Sequence, residues 1–428
     1  MLRGKNFFRT LAAAAGLLLV MAGFSPLESA ESDLSRLINL LKSKNILTQQ
    51  EADSLLTELN AAKQKEREEM KTEVKEEVKA AAGKGELLPP ALKGFKFGTT
   101  IYGEWNNRTT DNAGSTNAFN LNRAYLTLTK DVNEWLAMNV TADLFTSVDP
   151  DDNRNGLELR LKYAYANLNF FGTNTQLGMI PTPSDSYDSA IWPYRAQGPN
   201  FFDGQGILST SDLGVSIQGH IGGTMDESYL KYASRQFAGK WGGYFVGVYN
   251  GPGYTNTENN HNKVVSGLVY VRPFPSLPVL QGLQLAYTGS YGKSNSNFAP
   301  GSGVVTDYPD FRAHIAQASL QHGYFTVMGQ YYWGKGTATS TEENDRKGYL
   351  VDAFLRIPTM EKLRLFGKYY FYDPNTDRSL GYKTYVAGLS YDVAPEFMPF
   401  IAFEQRIFDS AAGGNNYDKY QVGFQLKF

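Results

Sequence analysis

Apolar and polar residues alternate in short runs over most of the chain, and the last run is the plainest. In residues 419–428, Tyr420, Val422, Phe424, Leu426 and Phe428 fall on one side of a period-two strand. Lys419, Gln421, Gly423, Gln425 and Lys427 fall on the other. The apolar side is aromatic at both ends. That suits the closing strand of a barrel with lipid outside, water inside and rings at both interfaces. A half-buried strand of a soluble sandwich alternates too, so the joints between runs must separate the two.

From Phe95 onward the joints alternate long and short. The long ones are 106–118, 146–155, 181–211, 251–262, 294–308, 334–346, 373–382 and 409–418; the short ones are 131–134, 171–172, 273–281, 321–323, 358–362 and 394–397. Up-and-down membrane barrels have this asymmetry. Eight long loops predict an all-β, 16-stranded antiparallel transmembrane β-barrel over residues 95–428. Residues 222–250 resist the count: either the strand after Gly222 and Gly223 runs long, or 229–238 and 244–250 form an extra unit. An even total favours 16 and leaves 18 open.

Parity assigns faces. Leu157, Leu159, Leu161, Tyr163 and Tyr165 are expected to face lipid, as are Leu363, Leu365, Gly367, Tyr369 and Phe371. Arg123, Asp143, Glu158, Arg160, Lys162, Asp352, Arg364, Lys368, Glu404 and Arg406 then point into the lumen. A Lys or Arg facing the lipid midplane costs about 2–4 kcal/mol. These residues are candidates for lining and tuning a pore, or for ion-pair networks that stiffen the wall.

The third long loop, 181–211, is crowded with Tyr187, Trp192, Tyr194, Arg195, Phe201 and Phe202. Exposed loops rarely hold so many aromatics, whereas a loop folded into the lumen buries them. It is the candidate constriction, with Asp185, Asp188, Asp203 and Arg195 as its charges.

The segment before the barrel differs in kind. Arg3, Lys5 and Arg9 precede an apolar run over 11–24, the form of a signal peptide, expected over 1–29. Residues 30–85 lack Tyr, Phe and Trp; Leu34, Leu37, Ile38 and Leu41, then Leu55, Leu56 and Leu59, follow helical spacing. Thr48 and Glu51 form a capping box. Met70, Val74 and Val78 make a thin seam, suited to a coiled coil between copies or to a solvated single helix. A linker is expected over 86–94, and the helical arm in the periplasm.

Composition narrows the chemistry. There is no cysteine, so disulfides and thiol nucleophiles are excluded. The four histidines, His220, His261, His314 and His322, have no identifiable catalytic partner. No enzyme, cofactor, metal or nucleic-acid role is expected. Expected partners are outer-membrane lipids, further copies in a homotrimer, small ions or solutes in transit, and a periplasmic protein met through the arm. A rival role is a scaffold sheathing a redox protein across the membrane.

Several runs resemble a known family. L-N-R-A-Y-L-T-L-T-K (121–130), R-L-K-Y-A-Y-A-N-L (160–168), L-G-M-I-P-T-P (177–183), S-D-L-G-V-S-I-Q-G (211–219), V-Y-N-G-P-G-Y (248–254) and the terminal Phe428 are similar, in order, to elements of the phosphate-selective porin O and P family. The resemblance implies a trimeric 16-stranded outer-membrane channel of a Gram-negative bacterium, narrowed by its third loop; Phe428, at the end of the outward aromatic face of the closing strand, is the expected assembly signal. It does not carry over phosphate selectivity. The third loop sets Arg195 against three Asp residues, and residues 95–428 carry 27 Lys and Arg against 30 Asp and Glu. A dedicated anion trap is visibly basic, so a weakly selective porin is expected.

Overall fold

The computed structural model describes residues 94–147, 156–296 and 308–428, and in the preceding segment residues 41, 42, 44, 48–51, 54 and 57. Sixteen antiparallel strands close into one barrel in which each strand pairs with its sequence neighbours and the last pairs with the first. They are β1 Phe95–Thr110, β2 Gly114–Asp131, β3 Leu136–Ser147, β4 Gly156–Phe170, β5 Thr173–Pro181, β6 Ser211–Ile221, β7 Gly242–Tyr249 and β8 Val264–Val271. Then come β9 Leu283–Lys293, β10 Asp310–Gln321, β11 Phe325–Lys335, β12 Asp345–Ile357, β13 Met360–Asp373, β14 Tyr382–Tyr391, β15 Phe397–Phe408 and β16 Tyr417–Lys427.

Closure depends on the terminal run. β16 pairs with β1 from Thr100↔Lys427 to Thr110↔Tyr417. Phe428 extends that ladder: its N–H donates to the Thr99 carbonyl (3.1 Å) and its carbonyl accepts from Thr99 N–H (2.7 Å). Closing the sheet removes the unpaired edge that water cannot satisfy inside a bilayer. Outside, the Phe424 ring lies over Gly103, where an added Cβ would sit 2.6 Å from a ring carbon. Gly103 thus leaves the room that the closing aromatic fills.

The structure corrects three expectations. The first long joint, 106–118, is no loop. β1 and β2 run on as a hairpin, paired Asn106↔Ala118 to Thr110↔Gly114, and turn in residues 111–113. Trp105 Nε1 donates to Asn117 (2.8 Å), and Thr109 and Ser115 share a hydrogen bond (3.1 Å), so polar cross-strand pairs hold the extension. Secondly, residues 222–241 are neither a long strand nor an extra strand pair. They form a folded connection with a helical turn at Glu227–Leu230 and another at Arg235–Phe237, and the total stays at 16.

Thirdly, Tyr163 and Tyr165 do not face lipid. The β3–β4 register shifts so that Thr141 pairs with Tyr163 but Ala142 with Leu161. The extra residue is a bulge at Lys162, and a bulge reverses the facing of everything beyond it. Leu157, Leu159 and Leu161 are exposed outside, whereas Tyr163 and Tyr165 line an interior cavity.

In the preceding segment the capping box forms. Thr48 N–H donates to the Glu51 carboxylate (2.9 Å), and Glu51 N–H donates to Thr48 Oγ1 (3.3 Å). The signal peptide, the seam at Met70, Val74 and Val78, and the linker lie outside the described residues, as does most of the joints 146–155 and 294–308.

Candidate functional site

The connection between β5 and β6, residues 182–210, folds into the barrel. It carries helices α1 Pro183–Ile191 and α2 Phe201–Gly204. Pro183 opens α1, where its missing N–H costs nothing and its fixed φ favours the helix. No polypeptide can lie in a lumen without partners for its polar groups, and the loop finds them on one side.

That side is β9–β16. Tyr187 is fully buried and donates to Gln284 on β9 (3.1 Å). Asp188 accepts from Gln330 on β11 (2.6 Å). Trp192 packs edge-on to Phe366, and Lys368 Nζ lies 5.2 Å from the Trp192 ring centre. Tyr194 stacks on Phe366 at 4.1 Å and shares a hydrogen bond with Ser390 (3.0 Å). Gln197 donates to Glu404 (3.0 Å), and Phe201 and Phe202 pack on Tyr370 and Tyr332. Each such ring pair is worth about 0.5–1.5 kcal/mol beyond area burial. Burial and the nearby Asp185 hold the Asp188 carboxyl well above the usual carboxylate range.

The other side stays open. A cavity of about 160 Å³ separates the loop from β1–β4, lined by Tyr102, Tyr125, Lys162, Asp185, Arg195 and Lys427 among others. Here every carboxylate has a cation. Asp143 accepts from Arg160 Nε (2.9 Å); Arg195 holds Asp203 at 3.1 Å and Asp185 at 4.0 Å; Glu104 lies 3.6 Å from Lys419. Among the described residues, Lys162 Nζ donates only to the Tyr125 hydroxyl (3.0 Å). Arg123, Lys162 and Lys427 form no ion pair among the described residues. The local balance is therefore positive, although the barrel as a whole is slightly acidic. Arg195, buried between two carboxylates, is held still more firmly protonated than an ordinary guanidinium.

The sequence candidates thus divide. Lys162, Asp185 and Arg195 meet at the open gap, with Asp143, Arg160 and Asp203 behind them as partners and Arg123 near Asp143 and Asp203. Tyr187, Asp188, Trp192 and Tyr194 anchor the loop to the far wall. Asp352 and Lys368 lie opposite each other in the β12–β13 register under that anchor. Glu404 and Arg406 belong to it too: Arg406 donates to Thr384 (3.0 Å) and Tyr370 (2.6 Å). Arg364 pairs with Asp392 at the short-turn end, and Glu158 is exposed at the long-loop end. Arg160 and Lys162 do not both face the loop's acids, since Arg160 is held by Asp143.

Sequence reasoning missed Tyr163, Tyr165 and Tyr254. The first two are hidden by the bulge, because Y-A-Y-A reads as apolar on either face. Tyr254, in the loop after β7, accepts from Arg160 Nη2 (3.2 Å); its place in V-Y-N-G-P-G-Y was the available signal. Lys427 lies on the polar side of β16 and lines the gap, which alternation alone does not reveal.

No protein-family model and no curated protein matches this chain in sequence. Solved structures do. The high-pH structure of Pseudomonas putida OprB covers 81% of this chain and 97% of its own, with a TM-score of 0.56 at 11% identity. An anion-selective porin from Comamonas acidovorans covers 78% and 99%, with 0.54 at 13%. The outer-membrane channel DcaP of Acinetobacter baumannii covers 78% and 97%, with 0.52 at 12%. At such identities the likeness is one of fold: this chain has the 16-stranded barrel fold found among outer-membrane porins.

Proposed function

We propose that the protein is an outer-membrane porin, a water-filled channel for passive diffusion of small hydrophilic solutes and ions, with weak preference for anions such as phosphate. One observation carries the reading. Inside a closed barrel with an apolar exterior, the third loop is packed against β9–β16 and leaves a charged gap against β1–β4. Water and small solutes need such a path, and a fully plugged barrel has none. The cations Lys162 and Lys427, which line the gap and form no ion pair among the described residues, favour anions, weakly, because charges in a wide lumen are screened within about 8 Å at physiological salt. Phosphate is one such anion, and the six ordered motifs support placing the chain in the phosphate-selective porin O and P family. The signal peptide and helical arm belong to the same proposal, with the arm in the periplasm.

The exterior supports a homotrimer. At the short-turn end exposed aromatics recur around the barrel, at Phe97, Trp135, Phe170, Trp241, Phe274, Tyr324, Tyr391 and Phe428. At the long-loop end they cover β9–β16, β1 and β2, with Tyr291, Trp333, Tyr349, Tyr385 and Phe119 among them. From β4 to β8 that level is aliphatic: Leu157, Leu159, Leu213, Val215, Val248 and Val265. Rings mark a membrane–water interface, and a stretch without them suits contact with another copy.

Purified full-length protein in a planar bilayer tests the channel. Stepwise conductance in grouped, threefold events is expected. A folded protein that conducts only when a partner is added overturns the reading and favours a sheathing scaffold.

A further inference from the structure

Residues 222–241 join β6 to β7 at the short-turn end and are the longest described connection there. They do not hang outside. Arg272, almost fully buried on the strand side of the next turn, donates to the carbonyls of Gly239 (3.2 Å), Phe237 (3.3 Å) and Gln281 (2.7 Å) and to the Tyr229 hydroxyl (3.1 Å). Tyr270 accepts from Gly239 N–H (3.1 Å). His220 Nε2 lies 3.1 Å from the Gln236 carbonyl. So tied, the segment rises into the barrel until the Phe237 ring meets Tyr187 of α1 edge-on, 4.9 Å between centres. A piece folded up from one mouth touches the loop folded down from the other.

Two further cavities lie below the charged gap. One of about 310 Å³ shares Tyr163, Asp185 and Ser189 with it, and is otherwise lined by Tyr165, Pro181, Ser186, Ala190, Ser234 and Gln236. The next, of about 450 Å³, opens at the short-turn end between Asn169, Asn174, Gln218, His220 and Gln236. The charge changes along this line. Below Asp185 the polar groups of the lining are hydroxyls, amides and His220, set among Pro181, Ala190 and Phe237, and the one permanent charge there, Arg235, is held by Glu227. Gln236 lines both lower cavities, and its side-chain amide makes no hydrogen bond among the described residues.

We infer that residues 222–241 form a second selectivity station in series with the charged gap, and that the free amide of Gln236 there contacts uncharged, hydroxyl-rich solutes. An amide offers one acceptor and two donors, which match hydroxyl groups and give a small anion no charge to hold it. The inference rests on the channel reading. It explains how a pore with a basic gap passes neutral solutes: they bypass the field above and are met by hydrogen-bonding groups below.

The test uses full-length protein in liposomes, read by swelling in glucose, and in planar bilayers, read by KCl conductance. Gln236→Leu is expected to cut the glucose swelling rate about fivefold while KCl conductance changes less than about twofold. Gln236→Glu places a carboxylate in the same spot. It is expected to keep most of the glucose rate and to move the KCl reversal potential toward cations. Neither substitution touches the Gln236 backbone bond to His220, so folding is checked by heat-modified migration. Glucose rates that stay at wild-type level in Gln236→Leu, or that fall only in proportion to KCl conductance, overturn the second station and leave the channel standing. A wild-type protein that passes neither solute overturns the channel reading itself.

Discussion

The two halves of the barrel interior are built from the same kind of strand and finished differently. Along β9–β16 a ring, two amides, a hydroxyl and a carboxylate meet the third loop directly: Phe366, Gln284, Gln330, Ser390 and Glu404 each touch it. Along β1–β4 the inward residues are Tyr125, Lys162 and their ion-paired neighbours, and a gap remains. A closed barrel has no intrinsic front or back. The difference arises because one loop carries its aromatic side chains toward one wall and its charges, Asp185, Arg195 and Asp203, toward the other. A packed face fixes where the loop sits, and the fixed loop decides which wall charges stay open to the lumen.

The largest way to break this arrangement is to remove the packed face. Trp192→Ala with Tyr194→Ala deletes two buried rings, and each such change costs about 3–5 kcal/mol in a packed core. The expected outcome is a barrel that still closes, seen as unchanged β-sheet circular dichroism, with a loop that no longer holds its place. Conductance should rise and become noisy. Steady wild-type conductance in the double variant would mean that the rings do not position the loop.

A smaller effect concerns Asp188, which lies on the packed side although it is an acid. Its carboxyl faces Gln330, with Asp185, Asp352 and Lys368 around it, and burial raises its pKa. A carboxyl whose folded pKa exceeds its unfolded value supports packing fully at low pH and loses that contribution as pH rises through the folded value. The loop should therefore loosen on alkalinisation, by at most about 1.4 kcal/mol per pH unit from this group. Asp188→Asn keeps an acceptor for Gln330 and removes the titration. Melting temperatures followed from pH 5 to 9 should fall more steeply in the wild type than in the variant; equal slopes would assign the pH dependence elsewhere.

Much of this was legible in the sequence, for a physical reason. Strand alternation in a membrane barrel is enforced on both sides, by lipid and by water, so Leu157, Leu159 and Leu161 could be placed from parity. The alternation of joint lengths gave the strand number. What escaped were features that parity cannot carry. A bulge at Lys162 adds one residue without changing the residue types, so Tyr163 and Tyr165 switched faces unseen. The hairpin over 106–118 is polar because it extends beyond the apolar belt, and polarity read as loop. The inward fold of 222–241 depends on Arg272, which lies outside the segment itself. Within the site, the aromatics of the third loop announced that it is buried, but not against which wall, because that is a matter of contacts between distant strands.

The most direct test of the account compares two lysines in matched positions on opposite walls. Lys162 and Lys368 both point inward and both are largely buried, one at the gap and one beneath Trp192. Each is changed to Gln, and the reversal potential is measured across a KCl gradient at low salt, where screening is weakest. The account predicts a shift toward cations for Lys162→Gln, enlarged as salt is lowered, and no shift for Lys368→Gln. Equal shifts, or a shift for Lys368→Gln alone, would contradict it and place the path on the other side of the loop.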